Sequence, residues 1–434
     1  MRVCGISTPN RISSADHAIR CRDVPRSVLN IVARLNEAGH EAYLVGGCVR
    51  DLLIGLRPKD FDVATSATPD EVKALFRNCR LVGRRFRLAH ILLGRDFIEV
   101  ATFRAGQESA GKKQAVAHSD SGRILSDNVY GSLEQDAFRR DFSVNALYFD
   151  VRDESIVDYV GAMADIEARQ LRLIGDPDTR YREDPVRMLR AVRFAAKLGF
   201  SIEPHTEAPI RELSDHLEDI PPARLFDEVI KLLQSGHGVA SLDGLWQHDL
   251  LRYLLPMTYG SLLTERGDHW RRMLEQALNN TDARLAQGKS TNPAFLYAVL
   301  LWPPLREWLI ETGGAMPEDG APPVMQIQEA ANEIFDRQIH YTAIPKRFSQ
   351  MIRDMWSLQH KLENYGGGRA FGLLANKRFR AAYDFLLLRE EMGENTKERA
   401  NFWTQIQELD DEQDQMDLAS TQAHRGPRRR RRRR

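Results

Sequence analysis

The spacing of apolar residues changes near Gly161 in this chain of 434 residues. Before that point, short strand-like runs such as "EAYLVGG" and "DFDVAT" alternate with segments that have helical spacing. The segment "LVGRRFRLAHILLGRDFIEVATFR" predicts two strands joined by a turn at Gly94-Arg95-Asp96. Beyond Gly161, helical spacing continues almost throughout. We therefore predict an α+β fold, in which a mixed α/β part of about 160 to 175 residues precedes an all-α remainder.

The composition argues against a fibrous or membrane-spanning chain. Hydrophobic residues make up 42% and charged residues 28%, as is typical of globular proteins. No apolar run approaches the roughly 18 residues that a membrane span needs. The polar N-terminus also lacks the apolar core of a secretory signal. We expect a cytoplasmic protein without a membrane span.

The C-terminus carries a concentrated positive charge. The last ten residues contain eight arginines, Arg425 and Arg428 to Arg434, while the formal net charge of the whole chain is zero. Such a block cannot form a core and usually contacts polyanions. Nucleic acid is the expected partner, and an anionic membrane or a merely solubilising tail are the alternatives.

Two aspartates stand two residues apart where a strand begins, in "RPKDFDVATSATPD". Residues so spaced on a strand point to the same side, so Asp60 and Asp62 share one face while Phe61 turns to the opposite face and the core. Neighbouring carboxylates repel one another unless a cation lies between them, and their oxygens suit Mg²⁺ or Mn²⁺. The alternative for such a pair is a surface turn.

Two other features upstream and downstream support a site for a phosphorylated ligand. In "LVGGCVRD", a strand ends at Gly46-Gly47 and a helix begins, so backbone N–H groups there can bind phosphate, with Arg50 as a charged contact. The alternative is a plain tight turn. Glu99 in "FIEVATFR" lies between apolar neighbours, where an unpaired charge is costly, and is a candidate third metal ligand. The alternative for Glu99 is the exposed face of an edge strand.

A later segment combines a basic stripe with an apolar stripe on one predicted helix. The basic positions, at spacings of three and four, are Arg187, Arg190, Arg193 and Lys197. The helix therefore either contacts triphosphate or RNA, or is an ordinary amphipathic surface helix.

Five segments in order carry a family resemblance: "LVGGCVRDLLIG", "KDFDVAT", "RRDFSVNALYFD", "DYVGAMADI" and "YREDPVRMLRAVRFAAKLGF". They resemble the DNA-polymerase-β-like nucleotidyltransferase superfamily, in the class II branch of bacterial poly(A) polymerases and CCA-adding tRNA nucleotidyltransferases. The resemblance implies a head, neck, body and tail. The implied regions are a flexible N-terminus (1–24), a catalytic head (25–175), a helical neck that binds nucleotide and RNA (176–255), a helical RNA-binding body (256–420) and a disordered Arg-rich tail (421–434).

The resemblance also implies roles for individual residues. Asp60 and Asp62 are implied as metal ligands and catalytic residues. Asp141 is a further catalytic carboxylate, and whether Glu99 or Asp141 completes the set stays open. The implied nucleotide-binding residues are Gly46, Gly47, Arg50, Arg139, Arg140, Glu183, Asp184, Arg187 and Arg190. The implied RNA-binding residues are Arg193, Lys197, Arg428, Arg429 and Arg430.

The segment Leu81 to Gly94, "LVGRRFRLAHILLG", resembles a signature of the poly(A) polymerases rather than the CCA-adding enzymes. It implies template-independent addition of AMP from ATP to RNA 3′ ends with release of pyrophosphate, with Mg²⁺ or Mn²⁺ as cofactor and a role in RNA turnover. We expect a monomer, with RNA-decay proteins among its partners. The alternatives are CCA addition to tRNA and a non-catalytic RNA-binding protein of the same fold.

Overall fold

The computed structural model describes residues 9–83, 87–105, 117–118, 124–126, 129–313, 320–365, 368–394, 396–409, 415 and 418. The chain divides into two compact units, Met1–Leu213 and Ser214–Arg434. Within the described residues, every strand lies in the first unit and the second unit is helical. The predicted α+β class, with a mixed head before a helical remainder, is confirmed. The five finer regions of the head, neck, body and tail scheme stay predictions, and Arg428, Arg429 and Arg430 lie outside the described residues.

The first unit is built on an eight-stranded sheet with the strand order β1-β10-β9-β2-β3-β6-β5-β4. Two small two-stranded sheets, β7-β8 and β11-β12, accompany it. The strands are β1 Asn10–Ile12, β2 Ala42–Val45, β3 Asp62–Thr65, β4 Cys79–Val82, β5 Leu88–Leu93, β6 Asp96–Thr102, β7 Ala117–His118, β8 Ile124–Ser126, β9 Leu147–Phe149, β10 Ile156–Asp158, β11 Gln170–Leu171 and β12 Ser201–Ile202. The turn between β5 and β6 falls at Gly94 and Arg95, close to where the sequence predicted it.

One pairing in the sheet is parallel, and it matters for the site. β3 pairs with β2 in antiparallel fashion and with β6 in parallel fashion. β2 is buried along its whole length, in keeping with its central position and its run of apolar residues. β4 was not predicted; it pairs with β5 and forms the edge of the sheet.

Nine helices surround this sheet or follow it in the first unit, within the described residues. They are α1 Arg26–Glu37, α2 Gly47–Leu53, α3 Pro69–Leu75, α4 Leu133–Arg139, α5 Ala162–Glu167, α6 Pro177–Glu183, α7 Val186–Leu198, α8 Pro204–Glu207 and α9 Pro209–Glu212. Local sequence fixes where some of them begin. Thr68 accepts a hydrogen bond from the Glu71 backbone N–H, and Glu71 reaches back to the Thr68 backbone, so α3 begins with a capping box.

The second unit consists of helices in the described residues. They are α10 Pro222–Leu233, α11 Gly238–Gln247, α12 Leu251–Leu254, α13 Pro256–Leu262, α14 Gly267–Ala286, α15 Pro293–Leu300, α16 Trp302–Glu311, α17 Val324–Gln338, α18 Lys346–Asn364, α19 Gly368–Leu374, α20 Phe379–Glu391 and α21 Lys397–Glu408. Four tryptophans, Trp270, Trp302, Trp356 and Trp403, are fully buried in its core. Across the described part of the chain, no helix is both long enough and apolar enough to cross a bilayer.

Candidate active site

A depression of about 1690 Å³ in the first unit has the predicted carboxylates on its wall. Asp60, Asp62 and Glu99 all line it. The basic residues of the same wall are Arg22, Arg57, Lys59 and Arg95. The depression therefore presents anionic groups beside cationic ones, a combination suited to metal ions and phosphates.

The parallel pairing of β3 with β6 brings Glu99 to Asp62. The two residues are direct partners in the register, and paired residues on neighbouring strands point to the same face. Asp60 lies two residues before β3 begins, so it is outside the strand that was predicted to carry it. Phe61 is half-buried and lines the same depression, instead of turning wholly into the core as predicted.

The pKa of Asp62 reflects this arrangement. Loss of hydration beside the surrounding protein, and then the charge of Glu99, raise the pKa of Asp62 to about 6. Asp60 adds a smaller upward shift, and the positive charge of Arg140 opposes the increase. Glu99 also lies beside His90, whose Nε2 is 3.5 Å from a Glu99 carboxylate oxygen. Among the described residues, no three His, Cys, Asp or Glu side chains form a ready-made metal cage.

The glycine corner is also where the sequence predicted it. Gly46 precedes α2 with φ of 78°, a left-handed conformation that favours glycine. A Cβ atom at Gly46 would lie 3.6 Å from Nη1 of Arg140, so this guanidinium is next to the corner. Arg140 is close enough to Asp62 to act on its pKa. The structure thus brings Gly46, Arg140 and Asp62 into one neighbourhood.

Arg139 and Arg140 are held by a buried residue that sequence reasoning missed. One Asp136 oxygen accepts from Nε of Arg139 at 3.1 Å and the other from Nη2 of Arg140 at 2.9 Å. The Tyr148 hydroxyl donates to Asp136 at 2.8 Å. Burial alone would raise the pKa of Asp136, but the two arginines outweigh it and lower that pKa to about 2. The signal available in the sequence was the i, i+3 and i, i+4 spacing to the two arginines.

Arg50 has a different environment from the one predicted. It is buried, its Nε and Nη2 donate to Asp51, and its Nη1 donates to the Asn145 side chain. Its guanidinium also lies over the ring of Phe194, 5.5 Å from the centroid. Arg50 is not among the residues that line the depression with the three carboxylates. Its predicted contact with phosphate stays a prediction, because the structure gives the side chain protein partners.

The basic stripe of α7 is largely engaged by acids of the same unit. Nε of Arg190 donates to Asp141 at 2.6 Å, and Asp141 also accepts from the Phe142 backbone N–H. Lys197 is 3.9 Å from Asp51, and Arg193 lies over the ring of Phe194. Burial raises the pKa of Asp141, but Arg190 and the hydrogen bonds outweigh it, so the net shift is downward.

The residues predicted to read the base lie where α6 ends and α7 begins. Asp184 is the C-cap of α6, and Nη1 of Arg187 donates to Glu183 at 2.8 Å. Arg180, which sequence reasoning missed, also donates to Glu183. Arg180 further donates to the backbone carbonyls of residues 139 and 140, so it joins α6 to the segment after α4.

We predict that Asp136→Asn destabilises the protein by about 2–4 kcal/mol at pH 7, because Arg139 and Arg140 lose their buried anion. The folded-state pKa of about 2 lies below the ordinary aspartate pKa of 3.8, so the stabilisation is present above about pH 4 and is lost as the pH falls through about 2. Urea unfolding of wild type and variant at several pH values measures the difference.

The exposed Asp178→Asn is the matched control and should change the free energy of unfolding by less than about 0.5 kcal/mol. A difference between wild type and Asp136→Asn that stays constant from pH 7 to pH 3 would contradict the proposed role of the carboxylate.

Three stretches of the chain match known protein families. Residues 42–172 match the family described as "Poly A polymerase head domain". Residues 199–260 match "Probable RNA and SrmB- binding site of polymerase A". Residues 319–434 match "Polymerase A arginine-rich C-terminus".

Relatives match along most of the chain. The chain is 48% identical to "Poly(A) polymerase I" of Salmonella typhi over 400 residues, 91% of this chain and 85% of that protein. It is 47% identical to "Poly(A) polymerase I" of Haemophilus influenzae over 409 residues, 93% of this chain and 89% of that protein. This chain belongs to the bacterial poly(A) polymerase family. It is an RNA-binding nucleotidyltransferase with poly(A) polymerase activity.

CCA-adding enzymes are more distant relatives of this poly(A) polymerase. The "CCA-adding enzyme" of Lactiplantibacillus plantarum is 40% identical over 227 residues, 52% of this chain and 53% of that protein. Among solved structures, the Bacillus stearothermophilus CCA-adding enzyme in complex with CTP matches with a TM-score of 0.56 and 26% identity, over 86% of this chain and 81% of that one. The Thermotoga maritima CCA-adding enzyme complexed with tRNA matches in fold, with a TM-score of 0.53, 22% identity, and coverage of 79% and 72%.

Proposed function

We propose that the depression around Asp62 is the centre of AMP transfer from ATP to RNA 3′ ends, with release of pyrophosphate. The observation that carries the proposal is the register that pairs Asp62 with Glu99 beside Asp60, together with the raised pKa of Asp62. A cation between these carboxylates would relieve their repulsion. Their hard oxygens fit Mg²⁺ or Mn²⁺.

Asp60 and Asp62 would hold the metal, with Glu99 as the third carboxylate. Mg²⁺ is usually bound by one or two carboxylates together with substrate phosphates, so a site without a complete protein cage suits it. When bound, such ions activate an attacking hydroxyl and stabilise the leaving pyrophosphate. We favour Glu99 over Asp141 for the third position, because Asp141 is already engaged by Arg190.

The triphosphate would lie between the Gly46-Gly47 corner and the guanidinium groups of Arg139 and Arg140. Asp136 fixes both guanidinium groups before the ligand arrives, so little side-chain freedom is lost on binding. Gly46 keeps the backbone open beside Arg140, because no side chain fills the corner.

The adenine would be read by Asp184 and Arg187. A carboxylate and a guanidinium can together match the donors and acceptors of a base edge without a template. Glu183 holds the Arg187 side chain in place from one turn away, with Arg180 on its other side. Arg190 and Lys197 would then act mainly by fixing α7, since each has an acidic neighbour in the first unit.

The experiment for this proposal is a short unstructured RNA primer incubated with each nucleoside triphosphate separately in the presence of Mg²⁺. We predict a long ladder of products with ATP alone. In Asp60→Asn and Asp62→Asn, AMP transfer should fall at least about 10³-fold with an unchanged melting temperature, because each substitution removes one charge from the metal site.

Asp178→Asn serves as the control for a carboxylate lost elsewhere in the first unit. Transfer at the wild-type rate by either site variant at saturating Mg²⁺ would contradict the proposal. A product that stops after three nucleotides and requires CTP would favour CCA addition instead.

We also propose that the C-terminal arginines, including Arg428, Arg429 and Arg430, bind RNA phosphates. For single strands, log K falls with log[salt] by about 0.7 per neutralised phosphate. We predict that trimming residues 425–434 weakens RNA binding and flattens this salt slope, while the KM for ATP stays within about twofold. Replacing the eight arginines by lysines should preserve most of the slope, because the charges remain.

An unchanged salt slope in the trimmed protein would show that the tail is not an RNA contact.

Four expectations stay predictions from the sequence: a cytoplasmic location, a role in RNA turnover, RNA-decay partners and a monomeric state. The family match over residues 199–260 is consistent with RNA binding outside the tail as well.

A further inference from the structure

An exposed aromatic ring, that of Phe97, lies beside the carboxylates. Phe97 is 51% exposed, although it belongs to β6, and it lines the same depression as Asp60, Asp62 and Glu99. A single exposed phenylalanine is common on a protein surface, and its exposure alone indicates no ligand. Phe97 differs because it lies beside the proposed metal ligands, where its ring can offer an apolar face to a bound nucleic acid.

The ring is held in a fixed orientation. Phe97 stacks on the imidazole of His90, with ring centroids 4.2 Å apart and an interplanar angle of 11°. His90 is the direct partner of Glu99 across the β5–β6 pairing. The stack thus leaves one face of the Phe97 ring available and ties the ring to the strand pair that carries Glu99.

The register places this ring one step along the sheet from the metal-binding carboxylates. Asp62 is paired with Glu99 in the parallel register. Phe97 lies two residues before Glu99, just as Asp60 lies two residues before Asp62. Residues two apart on a strand share a face and lie about 6–7 Å apart. A ribose and its attached base can span that distance.

The surroundings match a nucleic-acid strand. Arg57, Lys59 and Arg95 are exposed on the wall of the same depression. Aromatic rings that stack bases, beside cations that follow the backbone, are the usual means of binding single strands without reading their sequence. The free face of Phe97 and these cations together form such a surface.

We propose that Phe97, supported by His90, stacks the 3′-terminal base of the RNA primer and so positions its 3′-hydroxyl at Asp60 and Asp62. This inference rests on the proposed AMP transfer and adds the primer subsite to it. It assigns the ring to the primer, because the adenine of ATP is proposed to lie at Asp184 and Arg187. Any of the four bases would fit, since every base has an aromatic face.

The test compares the full-length wild type with Phe97→Leu and Phe97→Tyr, each with Mg²⁺. Stacking one base on an aromatic ring typically contributes enough affinity for about a tenfold change when the ring is lost. We expect Phe97→Leu to raise the KM for a short RNA primer about tenfold, with the KM for ATP within about twofold. Phe97→Tyr should retain the wild-type KM, because the ring remains.

A second measurement follows stacking without turnover. A primer that ends in 2-aminopurine, mixed with each protein in the absence of ATP, should be quenched by wild type and by Phe97→Tyr but not by Phe97→Leu at saturating protein. Phe138→Leu is the matched control, because Phe138 is also an exposed phenylalanine of the first unit, at 47% exposure. The melting temperature of each variant checks that it is folded.

Unchanged primer KM and unchanged quenching in Phe97→Leu would overturn the inference, as would an increase confined to the KM for ATP. A wild-type protein that transfers no AMP would instead reject the proposed function itself. AMP transfer by the wild type, together with a Phe97→Leu variant indistinguishable from it, rejects only the primer subsite.

Discussion

The repulsion between the carboxylates of Asp62 and Glu99, which the sheet of the first unit brings together, is the interaction on which the rest of the site depends. Parallel pairing sets Asp62 opposite Glu99, and Asp60 lies just before the strand. Burial, and then the charge of Glu99, raise the pKa of Asp62, so Asp62 is harder to ionise than an ordinary aspartate. Arg140 offsets part of this repulsion, yet its guanidinium is also bound by the buried Asp136. A divalent cation bound between Asp62 and Glu99 would relieve the repulsion that remains.

Three of the arginines proposed to bind the nucleotide are held in place by acidic residues, unlike the exposed Arg57, Lys59 and Arg95. Asp136 fixes Arg139 and Arg140, and Glu183 fixes Arg187. Buried ion pairs contribute little net stability, because desolvation offsets much of their attraction, but they do fix geometry. Fixed geometry of this kind suits the proposed triphosphate site, where the ligand would be bound in one orientation. The basic stripe of α7 is also a less open RNA surface than its sequence suggests, because acidic residues of the first unit lie beside Arg187, Arg190 and Lys197.

Local features of the sequence predicted local features of the structure well. The Gly46 corner and the strand after Asp60 depend on residues within a few positions of one another. The burial of Arg50 was not predictable, because its partner Asn145 is 95 positions away. The approach of Glu99 to Asp62 was expected from chemistry, but the register that produces it depends on the order of the strands, which the sequence does not display.

Binding of Mn²⁺ in the absence of nucleotide, measured by electron paramagnetic resonance, tests directly whether these carboxylates hold a divalent metal. A proton competes with the metal for Asp62, whose pKa is about 6, so binding should tighten as the pH rises from 5 to 7 and level off above that. In Asp62→Asn, binding should be at least about tenfold weaker at pH 8. Equal binding by wild type and variant, with no dependence on pH, would contradict the claim that these carboxylates hold the metal.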